Sequence, residues 1–438
     1  MRTVASSTRL AMRLILTRGV SAMGSVLTGI ALDVWLYQQT GSYAQFAAIA
    51  VVSALVSLLV TPLTGVLVDR FNKRLLLAVS ECITAAAVLA AAWSWHRGSL
   101  DAWGVGFVTA TMACTAALRW TTMSVVVSML VPRDDLERVN GLQQIVEGIV
   151  LVLGPVLGAA AVTWVGLGGA LAIDCVSTVV ALCGLLSVPG PQLGTVAQTA
   201  PPRRWWVEMG FGLQWIWQRP ALRRLMLFIT GYNLVASIFT ASFSPYVLAA
   251  ADGHTLGMAA ALEGAGALAA GALLSWRILG GHAREDGVLG CAALFAALMM
   301  VWGLVRQPAL LCLLASCTGL VTSLLVAWLQ MVWQSHVPVD VQGRVFAARR
   351  LVSSALTPVS ILISVPLAEQ LMRPALQAWP AARVLWGLGT AGALGALMSC
   401  LGLCLLTGCL LRVAGGGLRV PPATTRSQAT PLLPMVDR

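Results

Sequence analysis

The sequence predicts an all-α integral membrane protein with twelve transmembrane helices in two six-helix repeats. Three observations predict it: an apolar composition, long unbroken apolar runs and an internal repeat. Apolar residues make up 58% of the 438 positions and charged residues only 10%, against roughly 25% charged in soluble domains. A soluble chain of this length would form two or three domains carrying about a hundred charges; this one has 28 basic and 17 acidic residues. Disordered, collagen-like and disulfide-scaffold classes are excluded by the same numbers.

The N-terminal MRTVASSTRLAMRLIL starts with the positive charge of a targeting signal. The apolar run behind it is long and lacks a small-x-small cleavage site, so it reads as an uncleaved first span. A spanning helix takes about 20 mostly apolar residues. Cuts at Gly, Pro and charge clusters give spans 14–37, 43–68, 75–96, 102–131, 141–164 and 166–188, forming an N-terminal bundle over 1–188. A second bundle over 224–412 holds spans 224–249, 256–278, 287–305, 309–333, 346–372 and 383–411. Continuous apolarity without period-two alternation favours helices over a barrel.

Between the bundles, 189–223 opens as a turn-rich linker, PGPQLGTVAQTAPP, and continues as RRWWVEMGFGLQWIWQRPALRR. Trp205, Trp206, Trp215 and Trp217 among arginines read as an amphipathic segment at the cytoplasmic lipid interface. Base stacking on nucleic acid is the weaker reading of the same residues in a membrane chain. Residues 413–438 read as a disordered cytoplasmic tail.

The basic residues orient the chain. Twenty-three lie on the termini and the even-to-odd loops, four (Arg97, Arg306, Arg373, Arg383) on the opposite loops, and Arg119 inside a span. That asymmetry places both termini in the cytoplasm, the expected membrane being a bacterial inner membrane, and it makes the net charge of +11 a matter of topology, not of nucleic acid. The ten cysteines lie almost entirely in apolar stretches and read as small buried hydrophobes, so no disulfide or metal site is expected.

The repeat appears in the loops. VPRDDLERV (131–139) matches VPVDVQGRV (337–345) at an offset of 206, and the same offset pairs TGVLVDR (64–70) with AGALLSW (270–276). Gly65 and Leu67 find Gly271 and Leu273, while Asp69 and Arg70 become Ser275 and Trp276. Duplicated helical halves with a site between them are the architecture of secondary transporters.

The run GVLVDRFNKR (65–74) between spans two and three carries Gly65, Asp69, Arg70, Lys73 and Arg74 at the spacing G-x-x-x-D-R-x-x-[KR]-R. With twelve spans and a long central loop, it resembles the signature loop of the major facilitator superfamily, over the chain to about residue 412. VWLYQQTGS (34–42), LVPRDDLERVNGLQQ (130–144) and VPVDVQGRVFAARR (337–350) are similar to the branch of enterobactin exporters and macrolide-efflux pumps. The resemblance implies a monomeric exporter of amphipathic small molecules, driven by protons. GPVLG in span five, marked by Gly154, Pro155 and Gly158, resembles the family's antiporter signature.

The chemistry of these positions stands apart from the resemblance. Asp69 ends a helix and suits the open N-terminus of a neighbour, where the dipole favours a carboxylate; the family's architecture makes that neighbour span eleven. Arg70, Lys73 and Arg74 are expected to pair with Asp134, Asp135 or Glu137 on the next loop. Such contacts exist only while one side is closed, so they bias one of two global states; the plainer reading makes the bases positive-inside anchors.

Ionisable groups inside the membrane are expensive and mark function. Arg119 lies about 17 Å above the end of span four, on a face shared with Thr111, Thr115 and Thr122. Asp33 and Glu147 are the carboxylates expected to pair with it, and Asp174 and Glu263 are further proton or substrate candidates. Glu81 and Glu369, nearer helix ends, are expected to be solvated. The run 264–269 fits a loose dinucleotide fingerprint, but within an apolar helix it reads as helix packing. Walker A, HExxH and GxSxG patterns are absent from the sequence, which removes the commonest ATP-binding, metalloprotease and serine-hydrolase readings; the resemblance implies a transporter of small molecules in exchange for protons, expected without cofactor and not as an enzyme. An uptake permease of the same fold and a non-transporting receptor or scaffold are the alternatives.

Overall fold

In a computed structural model of the chain, residues 2–40, 43–188, 205–276 and 284–415 are described. The linker segment 189–202 and most of the tail, 416–438, lie outside them. The described residues are almost wholly helical, and eight helices are long and apolar enough to cross a membrane by length and composition.

The order is α1 (Arg2–Thr40), α2 (Tyr43–Arg70), α3 (Lys73–His96), α4 (Ala102–Leu130) and α5 (Leu136–Leu186); then α6 (Trp205–Trp217), α7 (Pro220–Ala250), α8 (Gly253–Ser275), α9 (Arg284–Trp302) and α10 (Pro308–His336). α11 (Gln342–Ser354), α12 (Thr357–Pro366), a π-helical turn (Leu367–Met372) and α13 (Arg373–Ala378) follow, with α14 (Pro380–Trp386) and α15 (Gly389–Ala414) at the end.

Local chemistry sets the ends. Asn72 caps α3 by accepting from the Arg74 and Leu75 amides. Asp101 caps α4 through the Gly104 amide and Asp252 caps α8 through the Thr255 amide, each side chain satisfying an amide that the first turn leaves open. Pro220 and Pro308 open α7 and α10, where a missing N–H costs nothing. α5 joins the fifth and sixth expected spans, and its path breaks at Gly166 (φ +65°), a backbone conformation that side chains disfavour. The expected eleventh span is divided among α11 to α13, broken at Pro358 and Pro366. The twelfth starts at Gly389 instead of residue 383, because Gly387 and Gly389 (φ +73° and +84°) turn the chain between α14 and α15.

Two turns repeat. Arg133–Asp135 and Val339–Val341 are both single 3-10 turns behind a proline, each leading directly into α5 or α11. Both therefore deliver a helix N-terminus at the same place, 206 residues apart.

Interhelical packing relies on close backbone approach, the usual means of association where lipid offers no hydrophobic gain. Gly154 and Gly158 of α5 face Val26 and Ile30 of α1. Gly264 and Gly266 of α8 abut Val152 and the Ser316 carbonyl, so the 264–269 run packs helices as its apolar setting predicts. The later helices enclose an aromatic core: Phe239, Phe243 and Tyr246 meet Trp302 edge-on at 5.4–6.3 Å, and the Trp302 indole N–H donates to Thr318. Outward, Leu59, Trp103, Trp164 and Leu362 are largely exposed, as lipid-facing positions are.

Candidate functional site

α2 and α11 cross at Gly65. A Cβ there would come within 2.6 Å of the Ala347 Cβ and 2.7 Å of the Gly343 carbonyl, so only glycine allows the contact. One turn further on, Asp69 reaches the N-terminus of α11. Its Oδ1 accepts from the Gly343 amide at 2.8 Å; its Oδ2 accepts from the Arg344 amide at 3.0 Å and from Arg344 Nε at 2.7 Å. Asp69 is 4% exposed, and three donors plus the dipole of α11 answer its charge. Burial raises the carboxyl to about 6 even though Arg344 and the Gly343 amide pull it down.

The repeat builds a weaker counterpart. Gly271 of α8 crosses Gly141 of α5 just as closely. Ser275, at the position matching Asp69, donates to the Arg138 carbonyl at 3.5 Å. At the matching positions, one crossing thus carries a carboxylate and the other a hydroxyl with a long contact.

Of the neighbouring bases, Lys73 is buried within reach of the Asp69 charge. Arg74 departs from expectation: its Nη2 donates to the Leu186 carbonyl at 3.0 Å. The last turn of α5, rich in open carbonyls, lies nearer to the start of α3 than the acidic loop does, and a cation suits a helix C-terminus. The tryptophan-rich linker also differs. Trp215 and Ile216 of α6 are buried against protein, Trp217 faces outward, and the Phe211 ring lies 4.5 Å from the Arg344 guanidinium. The segment seats on α11, beside the Asp69 contact, because that end of the bundle offers an apolar face.

The second cluster joins α1, α3, α4 and the far half of α5. Arg119 Nη1 donates to Thr84 at 2.9 Å and meets Glu81 at 3.5 Å. Ser21 donates to Glu81 at 2.9 Å, and Thr84 and Thr115 share a hydrogen bond of 2.8 Å. The Arg119 partner is therefore Glu81, not Asp33 or Glu147. α3 begins at Lys73, so Glu81 is two turns inside the helix and shares the face of Thr84 that meets α4; it is buried, not solvated. Thr115 joins the network, whereas Thr111 and Thr122 donate to their own helix. Asp174 is fully buried, accepts from Ser177 at 3.3 Å and Ser25 at 3.5 Å, and keeps Oδ2 unpartnered.

Glu147 accepts from Gln143 at 2.9 Å, and both line a 300 Å³ cavity with Arg18, Ala22, Val26 and Val150. Asp33 and Glu263 are half-buried elsewhere, on α1 and α8, and the Glu263 backbone packs on Gly319 of α10. Gly154 and Gly158 hold α5 against α1, while the Pro155 side chain lies outside the described residues. Arg18, Arg349 and Arg350 were counted with the terminal and loop charges; the structure instead buries Arg349, and leaves a buried, unpartnered nitrogen on each of the three. Their signal was present, since all three stand within a few residues of an apolar run.

The Major Facilitator Superfamily model matches residues 14–361. Macrolide efflux protein A of Streptococcus pyogenes is 23% identical over 360 residues, covering 81% of this chain and 88% of that protein. Multidrug efflux pump Tap of Mycobacterium tuberculosis is 25% identical over 362 residues, covering 80% and 85%. Among solved structures, a bacterial homologue of the iron transporter ferroportin, in an outward-facing state, superposes with a TM-score of 0.68 at 13% identity, over 92% of this chain and 98% of that one. The human organic anion transporter MFSD10 (TETRAN) gives 0.60 at 14% identity, over 93% and 99%. These two likenesses concern the fold. With the signature loop, the repeated turns and the family model in agreement along most of the sequence, the chain belongs to the Major Facilitator Superfamily and is a transporter, not an enzyme.

Proposed function

We propose that the chain exports amphipathic small molecules by alternating access, in exchange for protons, across a bacterial inner membrane with both termini in the cytoplasm. Two six-helix halves rock about the crossings of α2 with α11 and α5 with α8. The observation that carries this reading is the Asp69 carboxylate seated on the N-terminus of α11. It ties helices 274 residues apart in sequence through contacts that exist only while that end of the bundle is closed. The matching position of the second crossing carries Ser275 in place of a carboxylate, so the Asp69 charge distinguishes the first crossing, as a reversible gate requires. The Glu81–Arg119 pair and the Arg18–Glu147 cavity supply ionisable groups within the membrane that suit proton exchange. Export is favoured by the efflux pumps among the relatives.

Expression in a pump-deficient bacterium tests this reading. The chain should lower steady-state accumulation of a labelled macrolide or an amphipathic dye, and Asp69→Asn at matched expression should not. Raised accumulation would mean uptake. Unchanged accumulation across a panel of macrolides and of cationic and anionic amphipathic dyes would refute export.

A further inference from the structure

Beyond the Asp69 contact, α11 carries two adjacent arginines with no ion-pair partner among the described residues. Arg349 is 8% exposed; its Nη2 donates to Gln330 Oε1 at 2.7 Å, and its Nη1 is buried without an acceptor. Arg350 Nη1 is in the same condition, as are Gln330 Nε2 and Arg18 Nε of α1. Arg349 and Arg350 stand side by side on α11, whereas Arg18 lines the Glu147 cavity. All four orphaned atoms are N–H donors. Among the described residues, the carboxylates in ion pairs are committed elsewhere, to Arg119, Arg344 and Arg373.

Aromatic rings hold the two guanidinium groups in place. Arg349 lies 5.4 Å from the Trp333 ring, 5.5 Å from Phe346 and 5.7 Å from Trp120; Arg350 lies 4.7 Å from Trp120. Rings satisfy the face of a guanidinium but offer no acceptor to its N–H edge. A pair of buried like charges with bare edges is the arrangement that a carboxylate, sulfonate or phosphate completes, by charge-assisted and bidentate hydrogen bonds.

The space fits such a ligand. Both arginines line a 240 Å³ cavity with Tyr232, Asn233, Leu325 and Leu329. Asn233 and Ser354 also line a neighbouring 520 Å³ cavity with Ala236, Ser237, Thr240 and Thr357. The charged end therefore leads into a mixed apolar and hydroxyl-bearing space, of the size that takes a drug-sized body.

We propose that the chain recognises amphipathic organic anions, the acidic group seated on Arg349 and Arg350 and the body lying along α7. This rests on the transporter reading and names its substrate class. Neutral or cationic cargo would leave the two guanidinium groups that line the cavity uncompensated.

The test is equilibrium binding of naphthalene-2-sulfonate and its uncharged isostere naphthalene-2-sulfonamide to the purified full chain in phosphatidylcholine nanodiscs. The wild type should bind the sulfonate at least tenfold more tightly. Arg349→Gln and Arg350→Gln should each remove most of that preference, and Arg350→Lys should restore only part of it, since an ammonium lacks the planar fork. Equal wild-type affinity for the two probes overturns the proposal without reference to any variant. Full preference in both glutamine variants overturns the assignment to these arginines. Tenfold loss of sulfonate binding when phosphatidylglycerol is added would give the site to a lipid headgroup and overturn a soluble cargo. Binding without transport would spare this site and sink the exporter reading; proton-driven movement of a dye without anion preference would do the reverse.

Discussion

Replacing Asp69 by asparagine isolates the charge at the gate. The amide oxygen still accepts from Gly343, but an NH2 group now faces the Arg344 amide and Nε, so two charge-assisted bonds become donor–donor encounters. Bonds to a charged group contribute about 1.5–3 kcal/mol each. Part of the loss is offset, because the variant no longer buries an ion. A net weakening of about 3 kcal/mol moves the closed-to-open ratio roughly 100-fold. Spin labels at residues 71 and 340, exposed on either side of the contact, report it directly once the ten native cysteines are replaced. Pulsed electron–electron resonance in nanodiscs should show one short distance for Asp69 and a dominant longer one for Asp69→Asn. An unchanged distribution in well-folded variant would refute the reasoning.

Three further outcomes follow from the geometry. Arg119→Ala leaves Glu81 buried with Ser21 as its hydrogen-bond partner and should cost about 3–5 kcal/mol; the double variant with Glu81→Ala should recover much of that in thermal unfolding, whereas additive losses would deny the pairing. Gly158→Val places carbon 2.8 Å from Ile30 Cδ1 and should destabilise by about 1–3 kcal/mol, with Ile30→Ala compensating in the same unfolding assay. Phe211→Ala removes the ring beside Arg344, worth about 0.5–1 kcal/mol, and should shift the same spin-label distances in the direction of Asp69→Asn by a several-fold smaller ratio; no shift would leave α6 without influence on the gate.

The Asp69 contact with α11 was legible in the sequence because its parts are local: a glycine, a carboxylate one turn later, and a helix start marked by a proline turn. The repeat made the second crossing legible too, through Gly271. Glu81 was misread because the span was expected to start at residue 75, whereas α3 begins at Lys73 and carries Glu81 two turns inside, on the face that meets α4. Arg349 and Arg350 sit at the start of an interrupted span, where charge counting assigns residues to loops by default. Only the crossing of α4, α10 and α11 reveals that Trp120, Trp333 and Phe346 enclose them. The docking of α6 depends on which apolar face the bundle leaves uncovered, which no local pattern records.

Proton-coupled movement is the claim on which the rest depends. Proteoliposomes with an acidic interior, loaded with a pH-sensitive dye, allow substrate entry and proton exit to be followed together across macrolide, cationic-dye and naphthalene-sulfonate probes. For the wild type, at least one probe should accumulate as the interior turns alkaline, and Asp69→Asn should show neither. Accumulation indifferent to the pH gradient, or equal in wild type and Asp69→Asn, would contradict a proton-exchanging exporter gated at Asp69.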